Sequence, residues 1–126
     1  MKNDHVAFEV SNMDQSIEFY TQVLGLRLLF RKVNTEEQEE YAFLELEDGN
    51  LELLQWLSGE PFVKPTIKPP YCPHLAITSE DMNRTLKLIE EHHIPVIKGP
   101  LENTGSKWIY ISDPDNNVIE YVQWLK

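Results

Sequence analysis

The chain writes one structural unit twice. HVAFEVSNMDQS (residues 5–16) lies over HLAITSEDMNRT (residues 74–85) at an offset of 69, which places His5 on His74, Ala7 on Ala76, Met13 on Met82 and Ser16 on Thr85. NLELLQW (residues 50–56) lies over VIEYVQW (residues 118–124) at an offset of 68, with Glu52 on Glu120, Gln55 on Gln123 and Trp56 on Trp124. Two separated segments that repeat at nearly one offset within 126 residues imply a duplicated module of about half the chain. Each half must then build the same unit.

The parts of that unit follow from periodicity. In residues 4–10, Val6, Phe8 and Val10 alternate with His5, Ala7 and Glu9, the period of a half-buried strand. Ser11 followed by Asp14 resembles a capping box. Met13, Ile17, Tyr20 and Leu24 then recur at helical spacing, and Gly25 stops the helix. LRLLFRKV, EEYAFLELE and NLELLQWL read as three strands, the last two joined at Asp48-Gly49, a hairpin signal. In the second half HLAIT is a strand, and Ser79 caps a helix with Met82, Leu86 and Ile89 on its buried face. PVIKG, SKWIYIS and NVIEYVQW are strands, with a turn at Asp113-Pro114-Asp115-Asn116. The expectation is an α+β fold of two tandem βαβββ modules forming a curled mixed sheet. A single domain, residues 1–126, holds module one (about 3–57), a proline-rich linker (58–71) and module two (about 72–126).

Charge and cysteine usage narrow the partners. A net charge of −10 argues against nucleic acid and anionic membranes. One cysteine, Cys72, supports no disulfide framework, so a reducing, cytoplasmic setting is expected. The opening residues MKNDHVAFEV lack the apolar core of a signal peptide, and no stretch is long and apolar enough to span a membrane.

Four polar residues share equivalent places. His5 and His74 open the first strand of their modules, and Glu52 and Glu120 lie in the middle of the last, at spacings of 47 and 46. If Val6 and Phe8 face the helix, the histidines face away from it. Glu52 shares its face with Leu54 and Trp56, and Glu120 with Val122 and Trp124, where an ionised carboxylate is costly unless paired or metal-bound. Singly, each has an ordinary explanation: a frayed terminal histidine, a satisfied core histidine, a carboxylate on an edge strand. Chance does not predict the same pairing in both halves. Two imidazoles and two carboxylates suit an octahedral divalent first-row metal with open positions for water or substrate. His92-His93 falls at a helix end, where capping and dipole effects suffice, and Cys72 reads as a small buried or rim residue.

HVAFEVSNMDQSIEFYTQVLGLRLL, NLELLQW, PHLAITSEDM and DPDNNVIE together resemble the vicinal oxygen chelate superfamily, and within it glyoxalase I, over nearly the whole chain. The resemblance implies paired βαβββ modules, the glyoxalase/bleomycin resistance/dioxygenase fold, around a metal held by His5, Glu52, His74 and Glu120. It implies nickel or cobalt, as in the short bacterial forms, with zinc or manganese as alternatives, and a homodimer. The implied reaction is the isomerisation of a 2-oxoaldehyde–thiol hemithioacetal to a 2-hydroxyacyl thioester, as in methylglyoxal detoxification. Glu120 is the implied base, Glu52 its near-equivalent by symmetry, and the metal the Lewis acid that stabilises an ene-diolate. Glu9, Trp56, Trp124 and Lys107 are candidate substrate contacts; for the tryptophans packing, and for Lys107 solvation, is the ordinary alternative. Two other readings stay open: another metal-dependent enzyme of the superfamily, such as an epimerase, and a non-catalytic small-molecule or antibiotic-binding protein. One position breaks the pattern. Bacterial glyoxalase I commonly carries an arginine four residues after its first histidine, where it helps hold the glutathione carboxylate. Here Glu9 stands there, so the glutathione adduct is expected to be a poor substrate.

Overall fold

A computed structural model describes residues 1–125. The chain divides into two compact units, Met1–Lys64 and Pro65–Lys126, with the division inside the proline-rich stretch. In the first unit the elements run β1 (His5–Glu9), α1 (Met13–Glu18), β2 (Leu28–Asn34), β3 (Glu39–Glu45) and β4 (Asn50–Trp56). In the second they run β5 (His74–Thr78), α2 (Met82–Glu91), β6 (Val96–Glu102), β7 (Ser106–Ser112) and β8 (Val118–Trp124). Each unit holds one open four-stranded mixed sheet, ordered β1-β4-β3-β2 in the first and β5-β8-β7-β6 in the second. The tandem βαβββ architecture is thus the one that the repeat implies. Among the described residues no helix is long and apolar enough to cross a membrane.

In both units the strand that carries the glutamate is internal. β4 pairs in parallel with β1 and antiparallel with β3, and β8 does the same with β5 and β7. One face of each sheet is buried, by Phe8, Leu44, Leu51 and Leu53 in the first unit and by Leu75, Ile109, Ile111 and Ile119 in the second. Met13 and Tyr20 are buried on the helical stretch of the first unit, and Met82 and Ile89 on that of the second. Because side chains alternate, His5, Ala7 and Glu9 emerge on the opposite face, as do Glu52 and Glu120.

The repeated glutamine of the last strand is structural. Gln55 Oε1 accepts the backbone N–H of Met13 at 2.8 Å, and Gln123 Oε1 accepts that of Met82 at 2.9 Å. Each satisfies a donor that a helix N-terminus leaves unpaired, and so fastens the helix to the strand that carries the glutamate.

The helix ends differ from expectation. The N-caps are Asn12, whose side chain accepts from Gln15 N, and Asp81, which accepts from Asn83 N and Arg84 N, rather than Ser11 and Ser79. Both replacements stand in extended backbone directly before the first helical residue, the position from which a short side chain reaches the N2 and N3 amides. Helix α1 also does not continue as one α-helix to Gly25. It passes into a π-helical segment, Phe19–Val23, in which Leu24 N bonds to Phe19 O at 3.1 Å. The Thr21 hydroxyl donates to Ile17 O at 2.7 Å, a back-bond of the kind that bends helices. Gly25, at φ +79°, then ends the run.

One relic of the duplication gives a stability prediction. Ser79 Oγ and Thr85 Oγ1 lie 2.6 Å apart and satisfy each other. The equivalents at the 69-residue offset are Val10 and Ser16, so the first unit has one hydroxyl where the second has a pair. Ser16 is fully buried, and its Oγ has no hydrogen-bond partner among the described residues. A buried unsatisfied hydroxyl costs about 1–3 kcal/mol. Ser16→Ala is therefore expected to stabilise the protein by about 1 kcal/mol in urea unfolding; a loss of stability would show that the hydroxyl is satisfied in solution.

Candidate functional site

Each unit presents a histidine–glutamate pair on the face away from its helix. In the first, Glu52 lies on β4 between Ala7 of β1 and Phe43 of β3. His5, two residues back on β1, places Nε2 3.4 Å from Glu52 Oε1. In the second, Glu120 lies between Ala76 and Tyr110, and His74 Nε2 stands 3.0 Å from Glu120 Oε1. The carboxylates are well shielded, with 14% and 17% of their side-chain surface exposed.

The far ring nitrogens are tied down. His74 Nδ1 lies 3.1 Å from the Tyr71 carbonyl oxygen, which can only accept, so Nδ1 carries the proton. His5 Nδ1 lies 2.6 Å from Asp4 Oδ2. This hydrogen bond raises the His5 pKa above its usual value; burial opposes the rise, and the charges of Glu52 and Asp4 add to it. Burial likewise pushes the Glu52 carboxyl up, against the pull of His5 and with a further push from Glu39.

The surroundings repeat as well. Phe43 packs its ring 5.2 Å from that of His5, and Tyr110 packs 5.5 Å from that of His74. Phe30 stacks on Phe43 at 4.9 Å, and Tyr71 lies 5.0 Å from Tyr110. The Tyr110 hydroxyl is raised in pKa by burial, with further contributions from Glu120, Cys72 and Tyr71. Sequence reasoning passed over Phe43 and Tyr110, although Tyr-Ala-Phe (41–43) and Trp-Ile-Tyr (108–110) repeat at an offset of 67. It also passed over Asp4 and the Tyr71 carbonyl, for which no pattern in the sequence gives a signal.

Other candidates fall out differently. Glu9 and Trp56 line one recess in the first unit. Trp56 and Trp124 are 52% and 69% exposed, on the same strand faces as Glu52 and Glu120. Lys107 is not brought to that face. It pairs in register with Gln123, which reaches the helix, and its Nζ lies 3.8 Å from Glu102 Oε1. Cys72 is exposed, with Sγ 4.0 Å from His74 Nδ1.

Among the described residues no group of three His, Cys, Asp or Glu side chains is gathered to hold a metal; each unit offers a pair. The chemistry of the pairs nonetheless fits one. With Nδ1 as donor, a neutral ring turns the Nε2 lone pair toward a carboxylate oxygen, an arrangement that a proton or a cation must bridge. Two ligands at 90° and about 2.1 Å from an ion are about 3 Å apart, close to the observed separations. A metal-bound histidine almost always gives its other N–H to a carboxylate or carbonyl, and Asp4 and Tyr71 O stand where such partners would. Asp4→Ala is accordingly expected to weaken divalent-metal affinity about tenfold, the lower end for such partners because the Asp4 side chain is 89% exposed. Unchanged affinity by competitive chelator titration would remove Asp4 from this role.

The chain and its fold are similar to those of known proteins. Residues 2–121 match the model of the Glyoxalase/Bleomycin resistance protein/Dioxygenase superfamily. The chain is 32% identical over 121 residues to a probable lactoylglutathione lyase of Vibrio cholerae, covering 94% of this chain and 88% of that one. It is 30% identical over 125 residues to a lactoylglutathione lyase of Haemophilus influenzae, covering 94% and 90%. Its fold matches the crystal structure of a Salmonella typhimurium virulence protein with a TM-score of 0.72 at 28% identity, covering 99% and 98%.

Proposed function

The chain belongs to the Glyoxalase/Bleomycin resistance protein/Dioxygenase superfamily, and from that premise we propose that it is a metal-dependent isomerase of the glyoxalase I type. The duplicated His–Glu pair, with each distal ring nitrogen fixed by an acceptor, carries this reading. The substrate is the hemithioacetal of a 2-oxoaldehyde and a thiol, and the product a 2-hydroxyacyl thioester. Both modules act as one functional domain, and the protein works as a cytoplasmic homodimer.

His5, Glu52, His74 and Glu120 would hold a divalent ion, nickel or cobalt in preference to zinc or manganese. Such an ion would supply Lewis acidity, which would make the carbinol proton easier to remove. Asp4 and the Tyr71 carbonyl hold the histidine rings with Nε2 turned to Glu52 and to Glu120 respectively. Glu120 removes the proton from the carbinol carbon and returns it to the neighbouring carbon, while the carbinol hydroxyl proton passes to the former carbonyl oxygen, so that one carbon is oxidised and the other reduced with no external redox partner. Glu52 is the near-equivalent of Glu120 on the other side. Phe43 and Tyr110 flank the carboxylates and limit the water that reaches them.

Elemental analysis combined with a methylglyoxal isomerisation assay over several thiols tests the proposal. It expects one divalent ion per pair of modules and thioester formation lost on chelation. A protein that carries no metal yet binds small molecules is instead a sequestering member of the superfamily. A mixture of His5→Ala and Glu120→Gln chains, each inactive alone, reads whether a centre draws its two pairs from one chain or two.

A further inference from the structure

We infer that the side chains of Tyr71 and Tyr110 form a clamp that positions His74, with the Tyr71 ring acting through the carbonyl of its own residue. The clamp rests on the isomerase reading for the metal that His74 would hold, whereas the hold on the imidazole stands by itself.

The duplication shows why the second unit needs such a device. In the first unit the residue directly before the histidine, Asp4, supplies the acceptor for Nδ1. At the 69-residue offset its equivalent is Pro73, whose side chain has no acceptor. The acceptor in the second unit is instead a main-chain oxygen, that of Tyr71, 3.1 Å from His74 Nδ1. A carboxylate reaches a ring nitrogen by rotation about its own side-chain bonds. A carbonyl is aimed only by the backbone that carries it.

The backbone that aims it is one that tyrosine rarely adopts. Tyr71 has φ +68°, in the left-handed region that suits glycine and asparagine and is an outlier for a bulky side chain. Such a conformation persists only where the surroundings over-determine it. Two contacts do so. Tyr71 N donates to the Lys68 carbonyl oxygen at 2.8 Å, and the Tyr71 ring packs 5.0 Å from that of Tyr110 at an interplanar angle of 44°. Tyr110 in turn meets the His74 ring edge to face, at 5.5 Å and 86°. Strand β7 fixes Tyr110 itself, in register with Glu120. One ring therefore packs against both the imidazole and the residue whose carbonyl orients it. In the first unit Phe43 packs on His5, but the equivalent of Tyr71 is Lys2, which has no ring to complete a clamp.

The test compares Tyr71→Asn, which suits the left-handed backbone but lacks the ring, with Tyr71→Phe, which keeps the ring. Nickel is the probe, read by competitive chelator titration, with urea unfolding of the same preparations free of metal. Tyr71→Asn should bind nickel about tenfold more weakly, the lower end for loss of an outer partner, while its urea midpoint stays at or above that of the wild type because the backbone is relieved. Tyr71→Phe should keep the wild-type affinity. Tyr110→Leu should lose a similar factor, and the Tyr71→Asn, Tyr110→Leu double variant no more than either alone, because the two rings act as one unit. NMR of the ring nitrogens in metal-free protein, above the pH range in which imidazole titrates, gives a readout that needs no metal. His74 should carry its proton on Nδ1 in the wild type and divide it between Nδ1 and Nε2 in Tyr71→Asn. Unchanged affinity or an unchanged tautomer in Tyr71→Asn, no rescue by Tyr71→Phe, additive losses in the double variant, or a loss of affinity matched by a fall in the urea midpoint overturns the inference. Should the wild type bind no nickel, the tautomer alone decides. Neither readout moved in Tyr71→Asn, with the wild type still forming thioester, removes the clamp and keeps the isomerase. A shifted tautomer in a protein whose wild type forms no thioester with any thiol keeps the clamp and removes the isomerase.

Discussion

Exchange of Glu120 for glutamine should lower turnover by about 10²–10⁴-fold, the usual contribution of a general base, while most of the metal stays bound. Glutamine keeps the length of the side chain and one oxygen that can ligate, but cannot take a proton from carbon at neutral pH. The backbone should hold it in the same place, because Glu120 sits on an internal strand with Ala76 on one side and Tyr110 on the other. Metal content by elemental analysis and kcat from thioester formation, measured on the same preparation, separate loss of the base from loss of the centre. Near-normal turnover would transfer the base to Glu52, which has a physical claim to the role because burial makes its carboxylate more basic.

The His5→Ala, His74→Ala double variant should retain only background metal and no isomerase activity. Each substitution removes an imidazole whose orientation is fixed from behind, by Asp4 in one unit and by the Tyr71 carbonyl in the other. Loss of a ligand should cost more than the 10–100-fold typical of loss of an outer partner, so each single variant should already fall below Asp4→Ala in affinity. The fold should survive, because both histidines lie on the face away from the helices and neither belongs to the apolar core. Full metal occupancy in a folded double variant would end the four-ligand proposal.

Much of the fold could be read in advance because its signals are local or repeated. Alternation at residues 5–10 assigned His5 to one face and Phe8 to the other, and the burial of Phe8 and Val10 agrees. SKWIYIS and HLAIT coincide with β7 and β5. The turns at Gly25 and Gly49 occur where the backbone takes positive φ. Less legible were features set by competition among near-equal local choices. Ser11 and Asn12, like Ser79 and Asp81, are all competent caps, and the extended backbone at Asn12 and Asp81 decided between them. Past Glu18 the α-helix gives way to a π-helical segment, where the Thr21 hydroxyl bonds to Ile17 O, and no periodicity in the sequence marks that change.

The sequence by itself determined the duplicated module, its order of elements, and the equivalence of His5 with His74 and of Glu52 with Glu120. These are properties of spacing, and spacing survives in one dimension. Only the tertiary structure decided which residues stand beside them. Phe43 and Tyr110 meet the glutamates because of the register of β3 on β4 and of β7 on β8. The same register turned Lys107 to the helix side, and the chain after β4 brought Phe62 and Glu60 to Glu9. Periodicity gives the face of a strand relative to its own neighbours, but a one-residue change in pairing register would exchange every facing side chain. That choice is made by long-range hydrogen bonding and packing, to which no local pattern in the chain corresponds.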